Sequence, residues 1–235
     1  MKLSVVLPAY KEADNLKKIL PEIHNQVSLL DIDYEILVVD TMENMDDTEE
    51  VCKLNGATYL HRKNGNLYGD AIRTGINQAS GNYILMMDAD GSHEPKGIKN
   101  LYKEIVKGNY DIVIGSRYCK GGKTDNSFIL KSMSYVLNVT YKVIFGLNVR
   151  DCSNSFRIYN SDILKKIKLE CDNFDIVEEI LIKINSKNIK EVPIYFKKRD
   201  EGTSKRDLVK FIFSYLKTII RLLKIKNNIN CENEE

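Results

Sequence analysis

The sequence lacks long hydrophobic runs. No stretch reaches the ~18 apolar residues that a membrane-spanning helix requires, which excludes a self-inserting span. It also lacks an excess of either charge. Its 35 Lys and Arg stand against 33 Asp and Glu, a net +2, so it has no global signature for binding nucleic acid. Paired cysteine motifs are missing. Cys52, Cys119, Cys152, Cys171 and Cys231 are scattered, odd in number and without C-x-x-C spacing, which predicts free thiols in a reducing compartment. There is no internal repeat and no low-complexity linker. Strand-like residues begin almost at Met1, leaving no room for a targeting peptide, so a cytoplasmic location is expected.

What is present suits one α/β domain with a small appendage: 235 residues, of which 43% are hydrophobic. Strand-like runs at 3–7, 35–39, 57–60, 83–87 and 111–114 alternate with helical patterns at 12–24, 46–54, 69–80 and 95–106. Pro95 suits a first helical position, Gly81 a helix C-terminus, and Asp47 a helix cap. Such alternation predicts a mostly parallel sheet with helices on both faces. Ligands then sit at the carboxyl ends of the strands, where the strand order switches. Later the pattern loosens. A polar loop is expected at 120–125, helices at 128–146 and 174–185, and strands at 154–159 and 191–196, the last with Pro193 on an edge. Residues 1–203 would form the catalytic domain and 204–226 a basic, apolar helix. Residues 227–235 would be a disordered tail.

The most telling stretch is Asp88-Ala89-Asp90-Gly91-Ser92-His93-Glu94-Pro95, which follows the apolar run Tyr83-Ile84-Leu85-Met86-Met87. Two carboxylates at the exit of a buried strand are costly unless a positive group meets them. A hard divalent cation carrying phosphate oxygens is the simplest such partner. Three further strand exits converge on the same crevice. Pro8-Ala9-Tyr10-Lys11-Glu12 offers a ring to stack on a base and a carboxylate that also suits a helix N-terminus. Asp40, after Val38-Val39, can read the N–H edge of a base or end its strand as a turn residue. Gly115-Ser116-Arg117 brings a cation that can face a diphosphate or make a surface pair. The small residues Gly69, Ala71, Gly75 and Ala79 let a helix approach the sheet closely, with Arg73 able to project toward a phosphate.

In this order and spacing, Leu-Pro-Ala-Tyr-Lys-Glu, Val-Val-Asp, the 69–81 helix, Asp-Ala-Asp and Gly-Ser-Arg-Tyr resemble the family 2 glycosyltransferases of GT-A (Rossmann-like) fold. Lys120-Gly121-Gly122, and Glu191-Val192-Pro193 followed by Arg199, Gly202, Ser204 and Lys205, narrow the resemblance to dolichol-phosphate mannosyltransferases and polyprenyl-phosphate glycosyltransferases. The resemblance implies that Pro8, Tyr10, Glu12, Val38 and Asp40 hold the base and ribose, and that Asp88 and Ala89 contact the ribose and sugar-diphosphate region. It implies Mg²⁺ or Mn²⁺ at Asp90, with Ser92 standing where such enzymes place a stronger glutamine ligand. Arg117, Arg199 and Lys205 would neutralise the donor diphosphate and the acceptor phosphate.

The implied reaction is an inverting, metal-dependent transfer of a hexose, mannose from GDP-mannose first, to a polyprenyl or dolichyl phosphate. A phosphate acceptor is already an anion and needs no general base, whereas a sugar hydroxyl does. His93 and Glu94 stand where a hydroxyl-directed enzyme would keep one. Transfer to a glycan or protein hydroxyl is therefore the alternative, and a degenerate nucleotide-sugar-binding subunit the non-enzymatic reading. The basic, apolar residues 204–226 suit a helix lying on an anionic membrane, with 128–146 as a second such segment. The expected partners are thus a nucleotide-sugar donor, a polyprenyl phosphate, the cytoplasmic face of a membrane, and a small membrane-anchoring subunit.

Overall fold

The computed structural model describes residues 1–198 and 217–227. It opens with a strand, Lys2–Pro8 (β1), and a helix, Ala13–Ser28 (α1). Alternation continues through Asp33–Asp40 (β2), Thr48–Leu54 (α2), Thr58–His61 (β3), Tyr68–Gln78 (α3), Tyr83–Met86 (β4), Gly97–Gly108 (α4) and Ile112–Ser116 (β5). The later elements are Lys123–Thr124 (β6), Phe128–Phe145 (α5), Arg157–Asn160 (β7), Ser161–Leu164 (α6), Ile176–Ile184 (α7), Ile189–Pro193 (β8) and Tyr195–Phe196 (β9). A last described helix covers 217–227 (α8).

Seven strands form one sheet in the order β3-β2-β1-β4-β7-β5-β8, and only β7 runs antiparallel to its neighbours. The strands β1 and β2 read as unbroken apolar runs because helices cover both of their faces. Leu3, Val5 and Leu7 point into one core cluster with Leu16, Leu20, Ile23 and Val27 of α1, while Val6 points into the other with Ile72 and Ile76 of α3. The four α1 residues recur at helical spacing, and each contributes about 1.5–3 kcal/mol by leaving water. A Cβ at Gly75 would collide with the side chain of Val6, so this glycine sets how closely α3 approaches the sheet. The expected α/β architecture is therefore the observed one.

Several local expectations are corrected. Pro95 lies in the turn before α4, whose cap is Lys96. Gly81 lies beyond the end of α3, packed against the backbone of Ser4 and Lys2. Asp47 precedes α2 but makes no capping bond. Asp46 accepts from the Thr48 amide instead, and from Ala13 at the start of α1. The polar loop at 120–125 contains β6, which pairs with β9, so the single strand expected at 191–196 is divided between two sheets. Pro193 ends β8, an edge strand, as expected.

The basic helix expected at 204–226 falls largely outside the described residues. Its described part, α8, buries Leu222 and Ile225 in the core cluster on the α3 face. Arg221 of α8 pairs with Asp172 and Asp175 and donates to the Glu170 carbonyl. This part of the helix therefore packs on its own domain. No helix among the described residues is long and apolar enough to cross a membrane.

Candidate active site

The strand order puts β2, β1, β4 and β5 exits along one edge of the sheet, and the reversal of strand order falls between β1 and β4. Because β7 is antiparallel, its leading residues 151–156 reach the same edge: Arg157 at its start pairs with Met86 at the end of β4. Pro8, Glu12, Asp40, Asp88, Ala89, Asp90, Ser92 and Arg117 all follow or end these strands. Arg199 and Lys205 lie outside the described residues.

On the β1–β2 side, Pro8 and Val38 are buried strand positions that pair Leu7 with Val38 and Pro8 with Val39. Tyr10 is exposed, with the Lys11 ammonium 5.8 Å from its ring centroid. Glu12 stands at the N-cap position of α1 without a side-chain capping bond, and accepts from Asn15 at 2.7 Å. Asp40 is fully buried, yet among the described residues its Oδ1 has no hydrogen-bond partner, while its Oδ2 receives the Tyr59 hydroxyl at 3.3 Å. Burial pushes its carboxyl above the ordinary range, against the Thr41 amide and the Arg62 charge. A buried acceptor left open in this way suits the N–H edge of a base.

Beside it stands Arg62, which the sequence did not single out. It is buried, donates to the carbonyls of Ala9 and Asn66 at 2.5 Å each, and among the described residues leaves Nε without a partner. It ties the β1 exit to the loop before α3. Its position follows β3 without any motif, so only the fold reveals it.

In the middle, Asp88 and Asp90 leave β4 through a turn that Gly91 completes at φ +77°, a conformation open to glycine. Asp88 is half-buried and accepts from the Tyr68 hydroxyl at 3.3 Å. Burial and the Asp88 charge push the Tyr68 hydroxyl well up, so it stays a donor. Phe174 stacks on Tyr68 with centroids 4.2 Å apart. Asp90 Oδ1 accepts both the amide and the hydroxyl of Ser92, at 3.0 and 2.5 Å. Ser92 is fully buried, and its hydroxyl orients the carboxylate in this geometry.

His93 and Glu94, the two candidates for a base, are both engaged. His93 is buried between protein partners on both ring nitrogens. Glu94 pairs with Lys96 and Lys197 at 2.8 and 3.0 Å; burial alone would raise its carboxyl, but the lysines hold it below its ordinary value.

On the β5 side, Arg117 meets Asp151 with a forked pair of bonds at 2.9 and 2.7 Å and reaches Ser153 at 2.9 Å. Its guanidinium also lies 5.4 Å from the Phe196 ring centroid. Glu191 holds the amides of Arg150 and Asp151, each at 3.0 Å, so the partner loop is itself fixed. Arg73, expected to be available to a phosphate, instead donates to the Cys171 carbonyl and pairs with Asp70 and Asp172.

Among the described residues, no group of three His, Cys, Asp or Glu side chains forms a closed metal cage. Two carboxylates one residue apart at an open edge still fit a hard cation, which takes one or two carboxylates and completes its shell with phosphate oxygens and water.

Comparison with known proteins bears on this arrangement. Residues 4–168 match the family model described as Glycosyl transferase family 2. The dolichol-phosphate mannosyltransferase of Pyrococcus furiosus is 34% identical over 237 residues, covering 98% of this chain but only 66% of that protein. The undecaprenyl-phosphate mannosyltransferase of Micrococcus luteus is 29% identical over 220 residues, 87% of each chain. The glucosyl-3-phosphoglycerate synthase of Mycobacterium tuberculosis, solved with Mn²⁺, UDP-glucose and phosphoglyceric acid, has a TM-score of 0.74 at 17% identity, covering 94% of this chain and 79% of that one. Its complex with Mg²⁺ and UDP has a TM-score of 0.70 at 18% identity, covering 95% and 78%. With its mostly parallel GT-A sheet and its ordered strand-exit motifs, the chain belongs to glycosyl transferase family 2.

Proposed function

We propose that the chain transfers a hexose, mannose from GDP-mannose first, to a polyprenyl or dolichyl phosphate at the cytoplasmic face of a membrane. The observation that carries this reading is the engagement of both candidate bases. With His93 held by two neighbours and Glu94 by two lysines, the acceptor is best served by arriving as an anion, which a lipid phosphate does. The names of the Pyrococcus and Micrococcus relatives point to the same acceptor class. For the same reason, transfer to a hydroxyl is the weaker reading.

In the proposed reaction a phosphate oxygen of the acceptor forms the new bond to the anomeric carbon. The bond to the diphosphate oxygen breaks as it forms, the electron pair leaves with the nucleoside diphosphate, and the anomeric carbon inverts. Asp40, open at Oδ1, would read the base, with Pro8, Tyr10, Glu12 and Val38 framing base and ribose. Asp88 and Ala89 would meet the ribose and sugar-diphosphate region. Asp90, oriented by Ser92, would hold Mg²⁺ or Mn²⁺, which when bound supplies the charge that stabilises the leaving diphosphate. Arg199 and Lys205 are assigned to the diphosphate and the acceptor phosphate. Arg117 contributes there only jointly with Asp151, whose charge it already meets.

The membrane side of the reading rests on α5. Phe128, Ile129, Val136, Val139 and Val143 lie exposed along it, Phe128 at 83% and Val143 at 75%. Its opposite face buries Asn138, Tyr141 and Phe145. Lys142, Arg150 and Lys190 line a cavity of about 350 Å³ where α5 ends, so cations flank the apolar stripe. A small membrane-anchoring subunit remains an additional proposed partner.

The test is transfer from radiolabelled GDP-mannose to dolichyl or undecaprenyl phosphate with Mn²⁺. Label in the lipid phase, lost in Asp90→Ala, is expected. Absence of lipid-soluble product with any nucleotide hexose sinks the proposal, and water-soluble product moves it to a hydroxyl acceptor.

A further inference from the structure

We propose that His93 is a positioning residue whose two ring-nitrogen hydrogen bonds set the carboxylate turn, fixing Asp88 and Asp90 from behind. This rests on the donor and metal roles proposed for those two carboxylates.

The argument starts from burial. The His93 ring is fully buried, yet both of its nitrogens are satisfied. Nδ1 accepts the backbone N–H of Asp88 at 3.1 Å, so it carries no hydrogen. The hydrogen therefore sits on Nε2, which lies 2.9 Å from Asn154 Oδ1. Asn154 passes the chain on by donating Nδ2 to the Gly115 carbonyl at 2.5 Å. Each group in this series has one role only, so reversing any member breaks the rest.

The ring is also held mechanically. Phe156 stacks on it with centroids 5.0 Å apart and planes at 21°, and Phe196 meets it edge-on at 5.3 Å and 73°. The His93 backbone bridges Phe196, and Lys197 donates its amide to the Ser92 carbonyl. The side chain thus joins three segments directly, the carboxylate turn, the lead into β7 and β9, and reaches a fourth, β5, through Asn154. The Asp88 amide is the point at which the turn leaves β4. Fixing it fixes where both carboxylates point. A ring that served packing alone would need neither nitrogen.

His93→Phe separates the two roles, because it keeps an aromatic ring between Phe156 and Phe196 and removes both nitrogens. Calorimetry of Mn²⁺ with GDP, and separately with UDP, is the readout. We expect a folded protein with a lowered Tm, because the Asp88 amide and Asn154 Oδ1 lose their partner, and with Mn²⁺ affinity in the nucleotide complex at least about tenfold weaker, the scale seen when residues behind a metal ligand are lost. His93→Asn, which restores an acceptor near Nδ1, should recover more Mn²⁺ affinity than His93→Ala. Wild-type Mn²⁺ affinity in a folded His93→Phe overturns the proposal. Should His93→Phe not fold, Asn154→Ala leaves the ring in place and removes its partner, and unchanged Mn²⁺ affinity there overturns it equally. Nitrogen chemical shifts of the wild-type ring give a readout that needs no ligand: hydrogen on Nε2 is expected, and hydrogen on Nδ1 refutes the relay. If wild type binds Mn²⁺ with neither nucleotide, the proposed function fails, and the ring shifts alone decide the relay.

Discussion

Asp40 is a buried carboxylate with one oxygen left open among the described residues. An unsatisfied buried acceptor costs about 1–3 kcal/mol, which the fold bears until a ligand donates to it. Asp40→Asn should therefore leave the ligand-free protein as stable as wild type or more so, while weakening nucleotide binding by about tenfold, the worth of one charged hydrogen bond. Thermal melts with and without GDP and UDP check both halves; unchanged nucleotide affinity would remove Asp40 from the site.

Glu178 makes a separate point about burial. It lies on α7 near the buried Arg157, and burial pushes its carboxyl up to about 8 against the Arg157 charge. A raised folded pKa means the folded state holds the proton more tightly. Its stabilising effect is complete below the ordinary carboxylate range and is lost as pH climbs toward that value. Glu178→Gln removes the loss. The two proteins should melt alike near about pH 3.5, and the variant should gain on the order of 5 kcal/mol by about pH 9. Parallel melting curves across that window would contradict the assignment.

The elements differ in how much of them the sequence disclosed. Parallel strands buried on both faces read as plain apolar runs, so β1, β2 and β4 were legible. The two-residue strands β6 and β9 carry no period, and β7 looks like any short apolar run until its antiparallel partners are seen. An amphipathic pattern does not say what covers its apolar side. For α8 the answer is the domain itself, through Leu222 and Ile225. For α5 the stripe at Val136 and Val143 stays exposed. Val136→Asp with Val143→Asp should spare the fold and markedly reduce sedimentation with vesicles containing anionic lipid, since each buried apolar side chain is worth about 1.5–3 kcal/mol. Equal sedimentation of variant and wild type would exclude α5 as the membrane face.

At the scale of the molecule, the carboxylates were legible because they interrupt apolar strands, whereas Arg62, Tyr68 and Asn154 were not. Their roles depend on partners 53, 20 and 61 residues away: the Ala9 carbonyl, Asp88 and His93. No local pattern encodes such pairings. The converging strand exits also predict cooperation between ligands. Mn²⁺ and nucleotide together should raise Tm by more than the sum of their separate effects, because each completes the other's shell. EDTA should abolish the excess, and simple additivity would argue against a shared site.

The antiparallel strand β7 has a consequence for kinetics. By lying between β4 and β5 it sets those two exits about 10 Å apart, twice the usual interstrand spacing. In the proposed reaction the edge would then seat a donor against β1 and β4 while a second substrate waits toward β5. Both can be present before any bond breaks, so no sugar need be parked on the protein. Double-reciprocal plots at varied donor and acceptor should intersect, and parallel lines would mean that one substrate leaves before the other binds.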